Sequence, residues 1–93
     1  MATDLRELEA QALTAQRAGN FAGAIPIWRS ILAEQPNWEA GYAYYYLADC
    51  YTRTGEISLA EEAYRKAIEI APEDSMFSDA LISLVEARKA GHI

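Results

Sequence analysis

A punctuation pattern of glycine, alanine, an aromatic residue and proline occurs twice in this chain, and the two copies align without gaps at an offset of 36 residues. Gly19 falls on Gly55, Ala24 on Ala60, Trp28 on Tyr64 and Pro36 on Pro72. The positions between them vary freely, as with Ile25 on Glu61 and Ala33 on Glu69. Turn-making and packing positions are kept while solvent positions drift. That is how a structural unit behaves when it must pack on its own neighbour.

Hydrophobic spacing fills in the unit. Ala24, Ile27, Trp28, Ile31 and Leu32 recur at helical intervals, as do Leu59, Ala60, Ala63, Tyr64, Ala67 and Ile68. No strand-like alternation of useful length interrupts them. The spacing predicts five helices. The first runs from Thr3 or Asp4 to Ala18, with Thr3 as a candidate N-cap and Asp4 and Glu7 at the positive end of the dipole. The second runs from Phe21 to Glu34, capped by Asn20. Pro26 is awkward inside it, so either this helix starts late, near Ile25, or it is irregular there.

The third helix is expected from Trp38 or Glu39 to Arg53, with Asn37 as its cap. The fourth is expected from Ile57 or Ser58 to Ile70, and the fifth from Ser75 to Ala90 with Asp74 or Ser75 as cap. Gly19, Gly55 and Gly91 end helices, and Pro36 and Pro72 close them. Short connections between helices make neighbours antiparallel.

Residues 44–72 resemble the tetratricopeptide repeat, whose pattern asks for Trp-x2-Leu-Gly-x2-Tyr, then Ala-x3-Phe, then Pro. Here it reads Tyr44-x2-Leu47-Ala48-x2-Tyr51, Gly55, Ala60-x3-Tyr64, Ala67, Pro72. Tyrosines replace tryptophan and phenylalanine, and Ala48 stays small where the family has glycine. Residues 5–36 resemble a degenerate copy, with Gly19, Ala24-x3-Trp28 and Pro36 intact but Leu8, Gln11, Ala12 and Ala15 where larger residues usually stand. The period is two residues longer than the usual 34, and the surplus falls between Pro36 and Tyr44.

The resemblance implies an all-α fold: a right-handed superhelix of antiparallel helix pairs. It would form one domain over residues 1–93, with a degenerate first repeat at 3–36, a second at 37–72 and a capping helix at 73–91. It also implies a non-catalytic module that holds a protein or peptide segment on its concave face, in the cytoplasm. The alternative is a self-associating assembly subunit, a homodimer for instance. On the concave face the third helix would present Tyr42, Tyr45, Asp49, Thr52 and Arg53, the first helix Glu9, Leu13 and Gln16 beside Arg6 and Arg17, and the fifth Asp79, Ser83 and Glu86. Family members that clamp a peptide's C-terminal carboxylate place Lys, Arg and Asn where this chain has Glu9, Leu13, Tyr45 and Asp49, so that role is not expected.

Composition narrows the partners. Fourteen acidic against eight basic residues leave a net charge of −6, which disfavours nucleic acid and anionic membrane surfaces. No run of 18 apolar residues occurs, and the first residues lack the apolar stretch of a secretory signal. The single histidine, His92, and the single cysteine, Cys50, give no metal-ligand spacing and no Ser-His or Cys-His pair. No cofactor or metal is expected. Cys50 lies beside Leu47 and Tyr51 and reads as a small buried hydrophobe. The pairs Glu61/Glu62 and Glu73/Asp74 read as solvated charge, and Trp38 reads as packing at the inter-repeat connection.

Overall fold

A computed structural model describes residues 4–93. Among them are five α-helices: α1 (Leu5–Arg17), α2 (Phe21–Glu34), α3 (Tyr42–Arg53), α4 (Ile57–Ile70) and α5 (Ser75–Lys89). Each packs on the next in chain order, giving an elongated body of 47 × 29 × 18 Å. The helices are thus two successive pairs and a fifth helix laid on the second pair.

Local chemistry sets the ends. Thr3 lies outside the described residues, and the cap observed on α1 is Asp4, whose carboxylate accepts from the Arg6 N–H at 3.0 Å. Asn20 caps α2 by accepting from the Gly23 N–H, and Asp74 caps α5 by accepting from the Met76 N–H, each at 3.0 Å. Within each pair the turn is the same. After α3, Gly55 N–H donates to the Thr52 carbonyl and Glu56 N–H to the Tyr51 carbonyl, with Gly55 at φ +84°. After α1, Gly19 and Asn20 repeat those bonds to Gln16 and Ala15.

Small residues meet large ones in the core. Ala12, Ala24, Ala48 and Ala60 are fully buried, as are Trp28, Ile31 and Phe77. The alanines allow helices to approach, and the large side chains fill what the superhelix leaves open. Burying a side chain such as Ile31 or Phe77 contributes roughly 1.5–3 kcal/mol.

Four expectations need correction. α3 does not begin at Trp38 or Glu39. Trp38–Gly41 forms a separate turn in which Glu39 (φ +53°) and Ala40 (φ +52°) take left-handed conformations and Gly41 has φ +99°. This turn absorbs the two surplus residues of the repeat. Asn37 makes no side-chain capping bond, because the chain after it turns left-handed rather than into a helix. The late start of α2 is also overturned: the helix begins at Phe21 and runs through Pro26. The missing N–H of Pro26 falls opposite Ala22, which is exposed, so water can satisfy that carbonyl. Finally, Glu61 is not solvated charge. It is 9 % exposed and ion-paired to Arg88 at 2.6 Å and Arg65 at 3.7 Å. Arg88 of α5 reaches across to α4 to make that pair.

Candidate functional site

Side chains of the inter-repeat turn reach α1, and aromatic rings join α3 to α5. At the α1 end, the Trp38 indole donates to a Glu9 carboxylate oxygen at 3.0 Å. Arg6 lies over the Trp38 ring, 4.8 Å from its centroid, and pairs with Glu9 and Glu39. Nearby, Gln16 accepts from the Trp28 indole N–H, which satisfies the one polar atom of a fully buried side chain. Leu13 is half-buried against the core.

At the α5 end, Phe77 is the centre. Its ring lies 4.9 Å from Tyr42 and 5.5 Å from Tyr45. Tyr45 also touches Tyr42, Tyr46 and Tyr64, and Tyr46 stacks on Trp28 at 5.2 Å. These contacts tie α2, α3, α4 and α5 together through offset and edge-to-face ring packing. The Tyr42 hydroxyl donates to Asp74, the α5 cap, at 3.1 Å. That bond raises the Tyr42 phenol above its ordinary range, because ionising it would place charge against the carboxylate. Burial, and then Asp49, raise Tyr45 in the same direction.

Each side chain expected on this face therefore has a definite place. Tyr42 and Tyr45 are half-buried and packed against Phe77 and each other. Asp49 is partly exposed and sits 3.6 Å from Arg53, which also lies over the Phe21 ring at 5.3 Å. Thr52 donates to the Ala48 carbonyl. Glu9 and Gln16 are occupied by the two indoles. Tyr46 and Phe77 are structural parts of the face that the sequence reading did not assign to it. The Tyr42, Tyr45, Tyr46 spacing was a visible signal, since those positions share one side of a helix.

Among the described residues no group of three or more His, Cys, Asp or Glu side chains could hold a metal. Cys50 is fully buried, and burial followed by the neighbouring Asp49 pushes its thiol up to about 12, far from a reactive thiolate. No helix in the described residues is long and apolar enough to cross a membrane.

Paired antiparallel helices with small-on-large packing and an identical glycine turn in each pair define a helical-repeat protein. The tetratricopeptide-repeat family model matches residues 9–75, and the chain belongs to that family. No curated protein sequence matches the chain. Tetratricopeptide repeats generally mediate protein–protein interaction and are typically non-catalytic.

Proposed function

We propose that this chain is a non-catalytic module that takes a peptide or protein segment along the face of α1, α3 and α5, which is the concave face of the superhelix. The observation that carries the reading is the state of Tyr42 and Tyr45. Both rings are held by Phe77 and by each other, yet both residues are only half-buried. A rigid aromatic surface loses little side-chain entropy on binding, so its contact area converts to affinity efficiently. Asp49, Thr52 and Arg53 lie beside these rings and supply polar specificity; Asp79, Ser83 and Glu86 of α5 lie further along.

Affinity capture from the source cell tests this. The bait is the intact chain, and the control is Asp49→Arg with Arg53→Glu, which reverses the charges of the stripe and substitutes none of the clustered rings. Loss of a captured partner, with circular dichroism unchanged, supports the groove. Equal capture by both baits removes it.

A second reading, assembly with another copy of the chain, is favoured by a separate observation. Of the four large apolar side chains that are exposed among the described residues, Met76, Ile82 and Ile93 belong to α5 or follow it.

A further inference from the structure

α5 is the last helix among the described residues. It ends in the turn that ends α1 and α3. Ala90 N–H donates to Glu86 at 2.9 Å, Gly91 N–H to Arg88 at 3.2 Å and His92 N–H to Ala87 at 2.9 Å, with Gly91 at φ +77°. The matching bonds after α3 run from Thr54, Gly55 and Glu56 at 3.0, 3.2 and 2.8 Å. There the turn leads into α4, which covers α3.

The faces of α5 follow from its burial. Phe77 and Leu84 are buried toward α4 and the ring cluster, and Leu81 lies between them. Phe77, Leu81 and Leu84 have the spacing of Ala43, Leu47 and Cys50, the buried residues of α3. On that offset of 34, two residues short of the 36 that relates the two turns, Ile82 falls on Ala48 and Val85 on Tyr51. In α3 those two positions are buried. In α5, Val85 is only half-buried and Ile82 is 54 % exposed, and α4 is the helix that packs along α5 among the described residues. Leu81, Val85 and Ile82 turn progressively away from the buried side of α5 at about 100° per residue, from Leu81 packed on the core to exposed Ile82, and this flank also carries Ser78 and Lys89.

We infer that this flank pairs with the same flank of a second copy, antiparallel about a two-fold axis that passes near Ile82 and Val85. The inference rests on the self-association reading and names its surface. Two observations select a second copy in this arrangement. First, the opposite end of the molecule is polar: Arg6, Glu7, Gln11, Thr14 and Arg17 of α1 are exposed. Head-to-tail stacking would set apolar against charged, so like ends must meet, which closes the assembly at two. Second, α5 is charge-polarised, with Glu73, Asp74 and Asp79 at its start and Arg88 and Lys89 at its end; Glu86 is the one exception. An antiparallel crossing at Ile82 and Val85 brings Lys89 against Asp79 of the other copy twice, and it opposes the helix dipoles. Ile82 also holds a facing helix further off than Ala48 holds α4, which suits pairing between molecules at ordinary helix separation.

A contact along one helix of this length falls at the small end of protein interfaces, so the pair is reversible, with half-association on the order of 100 µM. Sedimentation equilibrium on the intact chain, from about 10 µM to about 1 mM, should show the mass rising from 10.3 kDa toward twice that value. Ile82→Glu should remain monomeric across the range with unchanged helicity, and the milder Ile82→Gln should weaken association. Lys89→Glu should weaken it about tenfold, and adding Asp79→Lys should restore it. A chain that stays monomeric throughout overturns the inference together with the self-association reading. A dimer that Ile82→Glu leaves intact overturns the surface alone, and Asp49→Arg then reports whether the α1, α3 and α5 face is used instead. Partner capture by Ile82→Glu at wild-type level leaves the groove reading standing in either case.

Discussion

Arg88 on α5 places its guanidinium Nη1 2.6 Å from Oε1 of Glu61 on α4, and this pair is the polar link between the last two helices. The Glu61 side chain is 12 % exposed and that of Arg88 51 %. Removing Arg88 leaves Glu61 with Arg65 alone, at 3.7 Å. A carboxylate stranded in a partly dry site is costly, but water reaches the Arg88 side, which moderates the loss. Arg88→Ala should therefore lower unfolding free energy by about 1–3 kcal/mol in urea titrations. Glu61→Leu combined with Arg88→Met should recover most of that loss, because it removes both charges. A double variant as unstable as Arg88→Ala would mean that the arginine acts through packing instead.

The left-handed turn gives two opposed expectations one residue apart. Ala40 has φ +52°, where a Cβ is strained, and it is exposed. Ala40→Gly should raise stability by roughly 0.5–1 kcal/mol, since the strain relieved exceeds the entropy glycine adds to the unfolded chain. Gly41 has φ +99°, and a Cβ there would meet Phe77 Cε2 at 2.9 Å and the Ala67 carbonyl oxygen at 3.2 Å. Gly41→Ala should cost about 2 kcal/mol or more, because the neighbours are a buried ring and backbone. Thermal melts of both variants check the signs. Ala40→Gly melting below wild type would show that the turn is not strained.

Why this turn was hidden in the sequence is physically plain. The helices were legible because their apolar period and terminal glycines and prolines are local signals, and α2, α4 and α5 begin where the spacing placed them. The surplus of two residues near Trp38 was visible as well. Its conformation was not, because Glu39 and Ala40 are ordinary helix formers. They are held left-handed by tertiary contacts: Trp38 to Glu9, Glu39 to Arg6, and Gly41 under Phe77. Glu61 was misread for a similar reason. Its pairing with Arg65 is local, but its burial comes from Arg88, 27 positions away. On the candidate face, the stripe of Tyr42, Tyr45, Asp49 and Thr52 could be drawn from helical spacing alone. That Phe77 fixes the two rings depends on how α5 lies against α3, which no pattern within α3 encodes.

Alkaline pH should loosen the ring cluster. Tyr42, Tyr45 and Tyr64 all have phenols raised above 10.0, the first by its bond to Asp74 and the other two by burial. A raised acid binds more protons folded than unfolded, so its stabilisation is complete below pH 10 and is lost as pH rises through the folded value. Stability should be flat in this respect through neutral pH and fall above about 10. Ionisation of Tyr42, Tyr45 and Tyr64, read by tyrosinate absorbance, should coincide with loss of helical circular dichroism. Ionisation of these three at the ordinary value, in a chain still folded, would contradict the packing of their rings.

Cys50 offers a native reporter of global opening. It is fully buried in α3, and its thiol is pushed up to about 12 by burial and by Asp49. Near neutral pH the folded chain therefore presents neither access nor thiolate to an alkylating reagent, whereas the unfolded chain presents both. Labelling by iodoacetamide should then proceed only through the open state, at a rate proportional to its population while reclosing is fast. Arg88→Ala, if it costs about 1–3 kcal/mol, should speed labelling by roughly 5- to 160-fold. Ala40→Gly should slow it, and Ile82→Glu at low concentration should leave it near the wild-type rate, because that side chain is already exposed. Mass spectrometry of timed samples measures all three. Labelling of the wild-type chain as fast as a denatured control would show that the α3 core opens freely, and the packing of Cys50 against Leu47 and Tyr51 would have to be redrawn.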